Sequence, residues 1–125
     1  MIEIIKSGLY SSIQDLGRFE YENYGVPVSG SMDQFSSVLS NKLLGNMDND
    51  AVMEITMVGP ILKFLKETRI CITGADISPS INDKSIDVNS IYQIKKGDIL
   101  KFGKLKYGLR SYLSVSGGFL SKKIK

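Results

Sequence analysis

The sequence predicts a mainly β domain, a barrel or sandwich of short strands carrying one short helix. Two observations support this. About nine short apolar segments follow one another at close spacing, separated by turns rich in Gly, Asn and Asp, a pattern of barrels and sandwiches and not of parallel α/β sheets. Only one stretch carries helical periodicity with a start and a stop signal. The composition agrees: 125 residues, 42% hydrophobic and 23% charged, describe one ordinary globular domain able to bury a core.

From the amino terminus, residues 3–5 begin a strand, Ser7-Gly8 turns, and residues 9–14 resume it. The helix is expected over residues 34–44. Asp33 can cap its first N–H groups, Phe35, Val38, Leu39 and Leu43 define one apolar face, and Gly45-Asn46 supplies the stop. After a polar loop at 46–50, residues 52–58 form a nearly continuous apolar run, broken by Glu54 and Thr56 and ended by Gly59-Pro60. Residues 61–65 and 68–73 flank Lys66-Glu67, which reads as a hairpin turn. Residues 77–81 lead into Asn82-Asp83, a second turn signal. Strands at 91–94, 98–102 and 109–115 complete the series.

Counting removes several chemistries. With no histidine, Ser-His-Asp and Cys-His mechanisms cannot be built within the chain. A single cysteine excludes intrachain disulfides and Cys-rich zinc sites, and Cys71, between Ile70 and Ile72, reads as a small buried hydrophobe. No metal site is expected. The net charge of +3 comes with a lysine-rich carboxyl end, and no stripe of basic and aromatic residues suggests nucleic acid. No apolar run approaches the roughly 18–20 residues of a membrane span, and Met1 to Lys6 is too short and charged for a signal peptide. The expected location is cytoplasmic.

Five places carry residues able to do chemistry. Gln14-Asp15-Leu16-Gly17-Arg18 sets an amide, a carboxylate and a guanidinium at a strand end, where Arg18 can clamp an anion or simply pair with Asp15. In Gly25-Val26-Pro27-Val28-Ser29-Gly30-Ser31-Met32-Asp33, glycines, a proline and serines precede an acidic residue at a helix start. That composition suits either close backbone approach to a ligand or an ordinary capped helix. It is not a phosphate loop of the Walker type. Glu54 interrupts an apolar run, so its carboxylate is either buried with a partner or turned outward from an edge. Asp76 ends a strand, as a site residue or a turn former. Arg110 and Tyr112 share one face of their strand, opposite Leu109 and Leu113, and the sequence leaves open whether that face is inside.

Taken in order, seven segments resemble the subunit-C proteins of prokaryotic 5-oxoprolinase, a family also called allophanate hydrolase subunit 2 or biotin-dependent carboxyltransferase-like. They are Gly8-Leu9 with Gln14-Asp15-Leu16-Gly17-Arg18, the segment Gly25 to Asp33, Leu44-Gly45-Asn46, Glu54-Ile55-Thr56, Gly59-Pro60, Thr73-Gly74-Ala75-Asp76, and Arg110-Ser111-Tyr112-Leu113-Ser114-Val115-Ser116-Gly117-Gly118. Each is weak alone; their collinearity up to Phe119 is specific. Departures are Glu20, where a small residue is usual, and Asn23, where a histidine is frequent.

The resemblance implies cyclophilin-like β-barrels and an activity that depends on partners. In one branch the B-type and C-type subunits join a separate A-type subunit to open the lactam of 5-oxoproline to glutamate with consumption of ATP. In another, the related domain belongs to urea carboxylase, and in a third a homologue antagonises an inhibitor of a histidine kinase. ATP is implied for the assembly, with no motif for it in this chain. The implied partners are a subunit-B-like protein and also the A-type subunit. Family members continue past the equivalent of Gly117-Gly118 into a Gly-Ser-Arg-Ser-Thr motif and a second barrel-forming half. This chain therefore reads as the N-terminal half of a subunit-C-like domain (residues 1–119) with a lysine-rich tail (120–125), a truncated fragment being a further reading. By chemical type, and not by the resemblance, the catalytic candidates are Asp15, Asp33, Glu54 and Asp76. The substrate-binding candidates are Gln14, Arg18, Ser29, Arg110 and Tyr112.

Overall fold

The computed structural model describes residues 2–8, 12–14 and 34–119. Within them, ten strands and one helix form two five-stranded sheets. In chain order the elements are β1 (Ile2–Lys6), β2 (Ser12–Gln14), α1 (Gln34–Leu44), β3 (Val52–Thr56), β4 (Ile61–Phe64), β5 (Thr68–Asp76), β6 (Ser80–Ile81), β7 (Lys84–Ser85), β8 (Ile91–Ile94), β9 (Ile99–Lys101) and β10 (Tyr107–Val115). The first sheet runs β1-β4-β9-β6-β7 and the second β2-β3-β10-β5-β8. All pairings among the described strands are antiparallel, and they do not join the two sheets into one closed ring.

Strand alternation builds the core. Met53, Ile55, Ile70, Ile72, Leu113 and Val115 of the second sheet face Ile2, Leu62, Phe64 and Leu100 of the first, all nearly or wholly excluded from solvent. Asn82 and Asp83 sit at φ 50° and 68° and close the β6–β7 hairpin, as two-residue turns of the mirror-image type require. The turn signal at Lys66-Glu67 is real, but its consequence is different from a hairpin. β4 pairs with β1 and β9, and β5 with β10 and β8, so this connection carries the chain between sheets. Both strands aim apolar residues at the same core from opposite sides, and a short turn serves that geometry as well as pairing.

The helix occupies the expected residues, with a different face turned inward. Ser36, Ser37, Ser40, Asn41 and Leu44 are buried against β5 and β10, whereas Phe35 is 77% exposed and Leu43 37%. The reason lies in the sheet, whose outer face presents Thr73 and Ser114 to the helix. The hydroxyls of Ser40 and Ser114 lie 2.5 Å apart and share a hydrogen bond, and Thr73 Oγ1 donates to the Ser36 carbonyl at 2.6 Å. Buried polar groups must be partnered, so a polar sheet face selects the polar face of the helix. The helix ends at Gly45 (φ 77°), with Gly45 N–H bonded to the Lys42 carbonyl and Asn46 N–H to that of Asn41. Arg69 donates to the Leu44 carbonyl at 3.2 Å, placing a cation at the negative end of the helix. Among the described residues, no helix is long and apolar enough to cross a membrane.

A polar row under the helix as candidate functional site

The register of the second sheet sets Glu54 opposite Tyr112 and Tyr112 opposite Thr73. Directly opposed residues point to the same face. Three strands therefore contribute one polar row, and it lies on the face away from the apolar core. Tyr112 is fully buried and Glu54 only 7% exposed. The Tyr112 hydroxyl donates to Glu54 Oε2 at 2.7 Å, so the carboxylate in the apolar run is an interior group with a charge-assisted bond. The open question of which face Arg110 and Tyr112 occupy is answered by β3. Arg110 pairs with Thr56 as Tyr112 pairs with Glu54, so both stand on the row's face, about 7 Å apart along the strand.

Arg110 also sits in an irregularity. β10 and β5 pair at Tyr107–Asp76 and again at Ser111–Gly74, so residues 108–110 bulge against Ala75 alone. Two glycines make the approach possible. Gly108 (φ +80°) lies so close to β5 that a Cβ would meet Ala75 Cα at 2.8 Å, and a Cβ on Gly74 (φ +88°) would meet the Arg110 carbonyl oxygen at 2.5 Å. The irregularity is confined to the β5 side, since against β3 the register of β10 is unbroken from Arg110 to Leu113. Arg110 is half-buried and has no side-chain hydrogen bond or ion pair with any described residue.

The remaining candidates separate. Asp76 lies past the bulge and its Oδ1 accepts the Ser78 N–H at 2.8 Å, the geometry of a turn former. Gln14 is placed by its backbone alone, opposite Val52 at the end of β2. Asp15, Arg18, Ser29 and Asp33 lie outside the described residues. Thr73, which the sequence offers only as part of a motif, joins the row and ties it to α1. Its signal was alternation: two residues on from Cys71 it shares a face with Tyr112, but only the register reveals that. Among the described residues, no group of three or more Asp, Glu, Cys or His could hold a metal ion.

Cys71 lies on this face beneath the helix, opposite Ser114. Burial pushes its thiol from the ordinary 9.0 up to about 11. The thiol is therefore protonated at neutral pH, and native protein should react with iodoacetamide at pH 8 far more slowly than unfolded protein, read by mass spectrometry. The folded state holds this proton more tightly than the unfolded state. Its contribution is thus fully present below pH 9.0 and is lost as the pH rises through about 11. The loss approaches about 1.4 kcal/mol per pH unit within that window. Denaturant melts of wild type and Cys71→Ala at both ends of the window check it.

A mainly β domain with one helix on a polar sheet face is the class that these features define. The family model of the carboxyltransferase domain, subdomain A and B, matches residues 24–124, and the chain belongs to that family. It is 42% identical over 117 residues to urea amidolyase of Lachancea kluyveri, covering 93% of this chain and 6% of that protein. It is 37% identical over 120 residues to the C-type subunit of 5-oxoprolinase from Haemophilus influenzae, covering 96% of this chain and 39% of that one. The crystal structure of Kluyveromyces lactis urea carboxylase superposes with a TM-score of 0.83 at 42% identity, over 94% of this chain and 10% of the other. The chain thus spans well under half the length of these curated relatives.

Proposed function

We propose that this chain serves as a subunit-C-like component of an ATP-dependent 5-oxoprolinase, opening 5-oxoproline to glutamate together with A-like and B-like partner subunits. The observation that carries the reading is the buried Tyr112–Glu54 bond on the helix-covered face. A lactam offers one amide N–H and one carbonyl. Glu54 accepts the amide N–H or a proton released during ring opening, and Tyr112 holds the carboxylate in place for that role. ATP enters as a cosubstrate of the assembly. The similarity to the C-type subunit of a 5-oxoprolinase over 96% of the chain supports the same reading.

A second reading is favoured by one observation, the 42% identity to a urea amidolyase. In it the chain is a carboxyltransferase-like domain of a urea-carboxylase-type enzyme, and the row would hold urea, which also presents N–H groups and one carbonyl. The two are separated by combining the purified chain with A-type and B-type subunits and measuring ATP hydrolysis with 5-oxoproline or with urea. The first reading expects turnover that requires 5-oxoproline and all three chains. Absence of turnover with the complete set overturns it. Tight binding to the B-type subunit without turnover would make the chain an interaction protein instead.

A further inference from the structure

From the bulge geometry we infer that Arg110 is the specificity-determining residue of this site, selecting a substrate that carries a carboxylate beside its amide group over a neutral amide. The inference rests on the 5-oxoprolinase reading and names the substrate feature that the site requires.

Arg110 shares the face of the buried Tyr112–Glu54 pair, one alternation along β10 and still reached by solvent. The pair itself is shielded from solvent, whereas Arg110 beside it is a charged group on the same face that an incoming carboxylate can reach. No described residue takes up the guanidinium in a hydrogen bond or ion pair, and its planar fork of donors matches a carboxylate. The strand is also shaped for this arrangement. Gly74 and Gly108 let β5 and β10 cross closely at the bulge, and the carbonyl of Arg110 itself packs against Gly74. Arg110 is thereby fixed through its backbone on one side by the bulge and on the other by its pairing with Thr56. 5-Oxoproline carries a carboxylate next to its lactam, whereas 2-pyrrolidinone is the same ring without it, which gives a matched pair of probes.

The experiment uses the chain reconstituted with A-type and B-type subunits. It reads KM for 5-oxoproline and the inhibition constant of 2-pyrrolidinone against it, for wild type, Arg110→Gln and Arg110→Lys. Loss of hydrogen bonds to a charged group corresponds to roughly a 10- to 100-fold change. Arg110→Gln is expected to raise KM for 5-oxoproline by about that factor while moving the 2-pyrrolidinone constant less than about threefold. Arg110→Lys keeps the charge without the planar fork and should recover only part of the loss. Equal weakening of both ligands, or an unmoved KM, overturns the inference while leaving the 5-oxoprolinase reading intact. A wild-type assembly without 5-oxoproline turnover overturns the reading itself, and the inference falls with it.

Discussion

Gly74→Ala is expected to destabilise the domain by at least about 3 kcal/mol, a large share of the roughly 5–15 kcal/mol that holds such a domain folded. Two costs add. Gly74 has φ +88°, where an L side chain costs about 1–2 kcal/mol. The new methyl would also stand 2.5 Å from the Arg110 carbonyl oxygen. That oxygen cannot retreat cheaply, because β10 is held by β3 on one side and by β5 on the other. Gly97→Ala is the internal control: its φ is +92°, but nothing lies within 4 Å of the position a Cβ would take. Urea melts should therefore show only the conformational cost, about 1–2 kcal/mol, at Gly97 and a substantially larger loss at Gly74. Equal losses at the two positions would mean that the close crossing of β5 and β10 is not a tight constraint.

How far the sequence could anticipate this arrangement depends on the range of each signal. The bounds of α1 were legible because its stop is local: Gly45 and Asn46 make the terminal bonds themselves. Which side of α1 faces the sheet was not legible. Periodicity identifies the apolar stripe of Phe35, Val38, Leu39 and Leu43, but the sheet beneath presents hydroxyls. Ser40, Asn41 and the Ser36 carbonyl answer them. Likewise, alternation put Arg110 and Tyr112 on one face, while the identity of that face needed the register of β10 against β3. The Glu54–Tyr112 bond joins residues 58 apart in sequence, and no local pattern encodes such a pairing. The bulge that carries Arg110 was signalled only by Gly74 and Gly108, each readable equally well as a turn glycine.

The second large effect is expected at the pair itself. Glu54→Gln keeps the size of the side chain and an oxygen that can accept from Tyr112, but removes the charge and the proton-accepting capacity. Under the role proposed for Glu54, loss of a proton-transferring group lowers turnover by roughly 10²- to 10⁴-fold, so kcat is expected to fall by at least about 100-fold. Tyr112→Phe removes one donor from the buried carboxylate and should act in two ways. Stability should drop by about 1–3 kcal/mol, since a hydrogen bond to a buried charge is lost. Turnover should fall as well, by less than in Glu54→Gln, because the carboxylate is retained but less firmly held. If the residues act as a unit, the double variant will be no slower than Glu54→Gln alone.

The most direct test of the central claim, that the polar row beneath α1 is the reaction site, is 5-oxoproline-dependent ATP hydrolysis by the reconstituted assembly containing Glu54→Gln. The melting temperature of the variant chain is recorded alongside. The expected result is a loss of at least about 100-fold in kcat with folding and partner binding retained. A folded, partner-bound Glu54→Gln chain that turns over 5-oxoproline within about threefold of wild type would contradict it, because no proton-accepting group essential to the reaction could then reside at Glu54.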